Sequence, residues 1–456
     1  MCAGIVDPAD RSIRELADSL RDGGLLATDV VGAVLRRLEA TEPSVHAFAH
    51  VAPSGAMAEA ELRDQLASRG VFAGPLHGIP IGVKDLFETA DMPTAAGSRV
   101  LAGNRPAHDA EAVRRLRAAG AVVVGKTVTH EFSYGLNEPP TRNAWDPTRY
   151  PGGSSAGSAV AVAVGSAAGS IGTDTAGSVR TPAAVNGVVG LKPTYGTVST
   201  RGVIPSCPSL DHVGPLARCV YDCALLYSVL SEARPFDPRM FDSGADRPLT
   251  NVRLGVDRDY FFHPADSAIA GAVDRALAVM QELGAEIVEI AIPELEYAST
   301  ISGPIMLVEA ARWHERLLRD HGPEYHLATR RMLELGLLVP ASGYLKAQQA
   351  REILRSAVRD AFERDGLNAI VAPSVPTATP RVEEVDLDPL VRQQSPANLT
   401  GQPAVSVPCG FTDTGLPIAT QLIGRPFEDY AVLRMAHSYE VATEWHLTRP
   451  PMAAAR

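Results

Sequence analysis

The sequence predicts an α/β fold, a large mixed β-sheet covered by helices on both faces, and three observations lead there. From His77 onward, short apolar runs alternate with stretches of helical periodicity. The chain has 456 residues, enough to bury a large core. No Pro/Ser-rich linker or charge block divides it, so one domain over residues 1–456 is expected. Within it we distinguish a helical collar over 1–70, a core over 71–230, a helical, pocket-lining region over 260–365 and a sheet-completing part over 366–456.

The collar reads as three amphipathic helices, IRELADSL, DVVGAVLRRLEA and AMAEAELRDQLASRG, because apolar positions recur at helical spacing. Beyond it, GIPIGV predicts a strand, DAEAVRRLRAAG a helix, AVVVGKT a strand and SAGSAVAVAVGSA a helix. Further strands are expected at SIGTD, GVVGLK, VRLGV, AEIVEIA, NAIVAP, AVSVPCG and IATQLIG. Strands interleaved with helices imply a sheet buried on both faces. The stretch from Tyr260 to Glu363 is mainly helical and ends in the periodic SGYLKAQQAREILRSAVRDAFERDG. It is expected to cover one side of the sheet and line the pocket.

A formal charge of −11 argues against nucleic acid or an anionic membrane as partner, since the average field of the protein repels both. Arg114, Arg115 and Arg117 read as a solvated helix face. The first residues carry no basic stretch leading into an apolar one, and SAVAVAVGSAAGSIG is too short and polar to span a bilayer, so a cytoplasmic location is expected. Five cysteines, Cys2, Cys207, Cys219, Cys223 and Cys409, fit reduced thiols rather than a disulfide framework. Cys219 and Cys223 lack neighbours to complete a metal site, and packing is the better reading.

Glycines and small hydroxyl residues crowd the segment from Gly152 to Gly196, GGSSAGSAVAVAVGSAAGSIGTDTAGSVRTPAAVNGVVGLKPTYG. Such a run has a reason in tight turns or in close approach of backbone to a ligand. A phosphate loop is excluded, because neither GxxxxGK[ST] nor GxGxxG follows a strand and Lys192 follows Leu191 rather than a glycine turn. Gly153-Ser154-Ser155-Ala156-Gly157 matches a GxSxG elbow centred on Ser155, but the polar, Pro-rich TRNAWDPTRYPG before it cannot be the strand that an elbow requires. A metal hydrolase is disfavoured as well: HEFSY and HERLL lack the second His of HExxH, and no metal or other cofactor is expected. A lysine can serve as base instead, because burial penalises its charged form.

GGSSAGSAVAVA followed by GTDTAGSVRTPAAVNGVVGLKPTYG resembles the amidase signature family, and the upstream PLHGIPIGVKDLF resembles that family's lysine segment. The likeness continues through TRNAWDPTRYPGG, SLDHVGPLAR, SGYLKAQQAR, NLTGQPAVSVPCG and GLPIATQLIGRP, most of the chain. The resemblance implies hydrolysis of a carboxamide bond without a cofactor. It gives Lys84 the role of base, Ser154 that of a bridging residue held by a cis peptide, and Ser178 that of nucleophile. It also implies an oxyanion hole in the turn Thr175-Ala176-Gly177-Ser178, with Asp174 and Arg180 bracing that loop and Ser155 in a supporting hydrogen bond. Read singly, Lys84 could be a salt-bridged lysine and each serine a helix cap; the motif context sets those readings aside.

The chemistry is consistent with the composition. Lys84 follows the strand-like Ile79-Pro80-Ile81-Gly82-Val83, and bringing a lysine from about 10.4 to about 7–8 requires roughly 4 kcal/mol of differential destabilisation of the ammonium. Neutral Lys84 would then draw a proton from Ser154, which takes one from Ser178 as it attacks the carbonyl. Each preorganised oxyanion donor contributes roughly 3–4 kcal/mol in related chemistry.

Departures from the family pattern are Ala144 in place of a common Pro, Thr127-Val128-Thr129 before HEF, and Asn186 in place of a common Cys. They are expected to shape the acyl pocket. The alternatives are the A subunit of a glutamine-dependent tRNA amidotransferase, disfavoured because DPLVRQQSPANLTG lacks an acidic residue just before NLxG, and a hydrolase of urea derivatives or carboxylated amides. The last needs an Arg in the pocket wall, for which Arg312, Arg330 and Arg331 are candidates, although solvated helix charge is the better reading of each. A non-catalytic binding protein would have no need of Lys84, Ser154 and Ser178 together. The expected partner is a small-molecule amide, and a homodimer is the assembly that a large α/β enzyme often adopts.

Overall fold

The computed structural model describes residues 7–134, 139–231, 237–241, 248–263 and 265–454. Its strands are β1 (Phe48–Val51), β2 (Pro80–Lys84), β3 (Val122–Thr127), β4 (Gly169–Asp174), β5 (Val189–Lys192), β6 (His212–Ala217), β7 (Arg253–Val256), β8 (Glu286–Glu289), β9 (Ala369–Pro373), β10 (Ala404–Phe411) and β11 (Pro417–Gly424). All lie in one sheet of order β1-β3-β2-β4-β6-β5-β10-β11-β9-β7-β8. The sheet is mixed: β3, β2 and β4 run parallel, as do β8, β7 and β9, while the strands between them pair antiparallel.

Alternation along β4 shows how both faces are covered. A Cβ at Gly169 would lie 2.7 Å from Leu226, on the helix Val220–Leu230, whereas one at Gly172 would lie 2.6 Å from Ser155 Oγ, at the start of the helix Ala156–Val164. Residues an odd number apart in a strand point to opposite faces, so these two helices lie on opposite sides. Every residue of Ala156–Val164 is buried. The run SAVAVAVGSAAGSIG is thus the end of a core helix, a turn and the start of β4, and among the described residues no helix is long and apolar enough to cross a membrane.

The nine strands expected from the sequence are all present, at nearly the expected bounds. Two were not expected. β1 lies inside the predicted helical collar, between the helices Ala27–Val45 and Pro53–Ala67, and pairs antiparallel with β3 at the sheet edge. β6 lies between β4 and β5 although it carries Gly214 and Pro215, residues that argue against an interior strand. The collar's first helix, Ile13–Arg21, opens with a reciprocal Ser12–Glu15 capping box. Its N-terminus is fixed to the core because the buried Asp222 carboxylate accepts the N–H groups of Ile13 and Arg14, at 2.7 and 3.1 Å. Of the arginine cluster, Arg114 is solvated as expected, at 60% exposed, whereas the other two are less so. Arg117 pairs with Glu59, Asp91 and Asp109, and Arg115 with Glu111, each arginine side chain being 21% exposed.

Gly157 is where the helix Ala156–Val164 meets the β1–β3 edge most closely. A Cβ there would stand 2.1 Å from Ala47 O and 2.4 Å from Val128 N, both backbone atoms that cannot rotate away. Gly157→Ala is therefore expected to lower stability by about 1–3 kcal/mol, the usual range for overpacking. In urea titrations the midpoint should fall with an unchanged slope.

Candidate active site

Parallel pairing brings the carboxyl ends of β2 and β4 out side by side, with Val83 opposite Ile171. Lys84 is the last residue of β2 and Thr173 the penultimate residue of β4. The crevice beyond such strand ends is where open α/β sheets bind ligands. Lys84 is completely buried there, and its Nζ donates to Ser154 Oγ and Thr173 Oγ1, both at 2.8 Å.

Three lysines are fully buried, and their partners distinguish them. Lys126 Nζ lies 3.2 Å from the Asp85 carboxylate and donates to Phe87 O and Thr94 Oγ1. Lys192 Nζ donates to Pro193 O at 2.9 Å. The partners of Lys84 are hydroxyl groups alone, with no carboxylate in direct contact. Burial holds its ammonium form well below the ordinary lysine range, against the weaker upward pull of Asp211 and Asp174. A neutral amine bonded to two hydroxyls can accept a proton from either.

Ser154 follows a cis Gly153–Ser154 peptide bond and shortly precedes the helix that begins at Ala156. Gly153 must lack a side chain, because a Cβ there would fall 2.2 Å from His130 Cε1. Ser155 N–H donates to Ser178 O at 3.2 Å, tying the two serine-bearing segments together. Burial falls along the series: Lys84 is inaccessible, Ser154 is 3% exposed and Ser178 is partly open. Ser154 and Ser178 line one cavity of about 420 Å³, together with Gly153, Thr175, Ala176 and His130.

The loop carrying Ser178 is held from below by a buried ion pair. Arg180 Nε lies 3.0 Å from Asp174 Oδ2, and both side chains are inaccessible. Asp174 also accepts the N–H groups of Gly177 (2.8 Å) and Val179 (3.2 Å) and the Asn398 amide (2.9 Å). Burial by itself would raise the Asp174 carboxyl; Arg180 foremost, with Lys192 and Asn398, outweighs it and holds the group well below the usual carboxylate range. Arg180 continues to Gln421 Oε1, Gln394 O and Asn398 Oδ1. Asp211 fixes the other side of the turn by accepting Thr175 Oγ1–H at 2.6 Å. At Gly177, φ is +110° and a Cβ would lie 2.6 Å from Gln394, so only glycine fits.

Of the four N–H groups expected at the oxyanion position, that of Gly177 is therefore engaged by Asp174, while Thr175, Ala176 and Ser178 line the cavity. Ser155 faces away: its Oγ donates to Thr173 O at 3.2 Å, it is fully buried, and it is absent from the cavity wall, which is incompatible with a nucleophile-elbow serine. The departures Ala144 and Asn186 do not line the cavity either. They meet each other, because Asn186 Oδ1 accepts the Ala144 N–H at 3.1 Å, a donor that a proline would not have. Arg312 and Arg330 pair with Glu315 and Glu334, and neither they nor Arg331 reaches the wall. Cys2 lies outside the described residues; Cys207, Cys219, Cys223 and Cys409 are free thiols. Among the described residues no group of three or more His, Cys, Asp or Glu could hold a metal.

Two residues of the site were not anticipated. Thr173 supplies the second partner of Lys84 Nζ, and the sequence holds no signal for it beyond its place five residues before Ser178. His130, noticed only as half of an incomplete metal motif, lines the cavity and donates its backbone N–H to Ser154 O at 3.3 Å. Burial, and secondarily Lys84, push its imidazole down to about 4, so it is neutral at pH 7.

The profile of a protein family described as Amidase matches residues 29–433. An amidase from Pseudomonas putida is 39% identical over 469 residues, covering 97% of this chain and 98% of the relative. The A subunit of glutamyl-tRNA(Gln) amidotransferase from Chloroflexus aurantiacus is 38% identical over 473 residues, covering 95% and 96%. Among solved structures, the native peptide amidase of Stenotrophomonas maltophilia superposes with a TM-score of 0.84 at 30% identity, covering 97% of this chain and 98% of that one.

Lys84 also makes stability depend on pH. An unfolded lysine binds its proton below about 10.5, whereas the folded one releases it at a lower pH. Between those two values the unfolded state holds more protons, so stability rises with pH. Lys84→Met has no such proton. The difference in melting temperature, wild type minus Lys84→Met, should therefore increase from neutral pH toward pH 10; a difference independent of pH would show that the amine is charged in the fold.

Proposed function

The chain belongs to the amidase family, and from that premise we propose that it hydrolyses a carboxamide carbon–nitrogen bond through an acyl-enzyme on Ser178, with Ser154 as proton relay and Lys84 as base. The observation that carries this reading is the buried Lys84 amine, hydrogen-bonded at 2.8 Å to a serine of the same cavity wall as Ser178. In the first step Ser178 Oγ attacks the amide carbonyl. Its proton passes to Ser154 as the Ser154 proton passes to Lys84 Nζ, and the developing oxyanion is met by N–H groups of Thr175, Ala176 and Ser178, that of Gly177 being held by Asp174. Collapse of the tetrahedral species breaks the C–N bond, and the lysine proton returns through Ser154 to the leaving nitrogen. Water, deprotonated by the same route, then releases the carboxylate and restores Ser178.

Thr173 keeps the Lys84 amine directed toward Ser154, and its own hydroxyl lies 3.4 Å from Ser133 Oγ, a further cavity residue. Asp174 and Arg180 fix the height of the turn. Their role is positional, since neither side chain lines the cavity.

A second reading, the A subunit of a tRNA amidotransferase, is favoured by the 38% identical relatives of that name. Both readings share the first chemical step and differ in the ammonia acceptor and in the need for partner chains. Purified protein that hydrolyses simple amides without tRNA or added subunits supports the first. Glutamine hydrolysis that appears only with charged tRNA and accessory chains supports the second.

A fluorophosphonate probe should label Ser178, as located by peptide mapping, and Ser178→Ala should abolish both label and turnover. Lys84→Ala and Ser154→Ala are each expected to lower kcat by about 10²–10⁴, with no further loss in the double variant because the groups act as a unit. Since the neutral amine is the base, kcat/KM should rise with pH through the lowered lysine pKa and then level off. A wild-type profile flat from acid to alkali would remove Lys84 from the mechanism.

A further inference from the structure

We infer that the cavity selects its substrate by charge, favouring amides whose chain ends in a cationic group, and that Asp386 and Asp388 make the selection. The inference rests on the amidase reading above and concerns the substrate of that same cavity. Met306, Met332 and Leu390 make part of its wall apolar, while Asp386 and Asp388 are its charged lining residues and both are exposed; among the described residues no Lys or Arg lines it.

The remaining titratable groups at the reacting end do not offset these carboxylates. Lys84 acts as the neutral base in the reaction proposed above, and burial lowers the pKa of its amine. Burial pushes the phenols of Tyr134 and Tyr150 up, so both stay protonated and uncharged. His130 is 5% exposed, and its Nε2 has no hydrogen-bond partner among the described residues. A neutral imidazole in the wall offers a substrate one hydrogen bond and no charge. The cavity therefore carries the sign of its two aspartates, and apolar walls focus their field along it.

Local structure gives each carboxylate a modest role, Asp388 standing in a first helical turn, where an acidic side chain is favoured. Asp386 Oδ1 accepts the Asp388 N–H at 3.0 Å, a turn bond at the start of the helix Asp388–Thr400. No ion pair or side-chain hydrogen bond of Asp388 exists among the described residues. The arginines that could have recognised an anionic substrate lie away from the wall. A chain ending in a carboxylate would thus meet two like charges and no counter-charge, whereas one ending in an ammonium would meet two partners.

The test compares hexanamide with its ω-ammonium and ω-carboxylate analogues, and with shorter and longer homologues of all three, on the full chain. At about 10 mM ionic strength the ammonium amide should exceed the neutral one in kcat/KM by about three- to tenfold, mainly through KM, with the carboxylate amide lowest. The ratio should shrink toward one at about 1 M salt and in the Asp386→Asn/Asp388→Asn double variant, and persist in the Asp386→Glu/Asp388→Glu variant. Independently of turnover, hexylammonium should protect Ser178 from fluorophosphonate better than hexanoate. Equal rates and equal protection for all charge forms, or a preference that survives the double Asn substitution, overturn the charge selection and leave the amidase reading intact. Absence of both turnover and labelling overturns the amidase reading, and the inference with it.

Discussion

A lysine amine buried beside hydroxyl groups, with no carboxylate in contact, is the constraint on which the rest of this structure depends. An isolated ammonium in a protein interior is so costly that the group releases its proton instead. Lys126, in the neighbouring strand and equally buried, shows the contrast, since Asp85 stands 3.2 Å from its Nζ. What sets Lys84 apart from both other buried lysines is its pair of hydroxyl partners, where Lys126 has a carboxylate and Lys192 a backbone carbonyl. Everything around Lys84 serves that difference: parallel strands bury its stem, Thr173 and Ser154 satisfy its hydrogen bonds, and Asp174 and Asp211 act on it only from a distance.

The second requirement of the proposed reaction is a rigid turn beside Ser178. Asp174 meets it by drawing the Gly177 and Val179 N–H groups to one carboxylate, and Arg180 compensates the charge. Asn398 and Gln421 complete the cluster from chain segments more than two hundred residues away. Loss of one partner from so buried a pair leaves an unpaired charge, at a cost of about 3–5 kcal/mol. This explains why the motifs NLTG and ATQLIG, which carry no reactive group, accompany the serine-rich segment: they supply the amides that hold the turn.

The parts legible in the sequence were those encoded locally. β3 opens on an apolar run and β9 is apolar throughout, and the Gly/Ser-rich segment carries glycines at Gly153 and Gly177 that the site requires. What escaped was set by tertiary pairing. β6 contains Gly214 and Pro215, yet its position between β4 and β5 makes it a strand. β1 is four residues long and exists because β3 offers it an edge. Thr173 is an ordinary threonine until β2 places Lys84 beside it. Ala144 and Asn186 read as two separate departures from the family pattern, and only the fold shows one donating to the other.

The site divides into two parts governed by different physics. Around Lys84 and Ser154, geometry is fixed by buried hydrogen bonds, and the backbone of Ser178 is tied to it through Ser155 N–H; a small misplacement there changes the chemistry. Asp386 and Asp388, also in the cavity wall, are exposed, and the field proposed for them is one that salt can screen. The first part leaves little room for variation, because the Lys84 amine is held by two hydroxyls and the Ser178 turn by the Asp174–Arg180 pair. The second rests on a single turn bond between the two aspartates and can change without disturbing the relay. On the proposed mechanism and charge selection, reaction type and substrate range therefore rest on separate residues, and the choice of acyl chain is open to change while the bond that is broken stays the same.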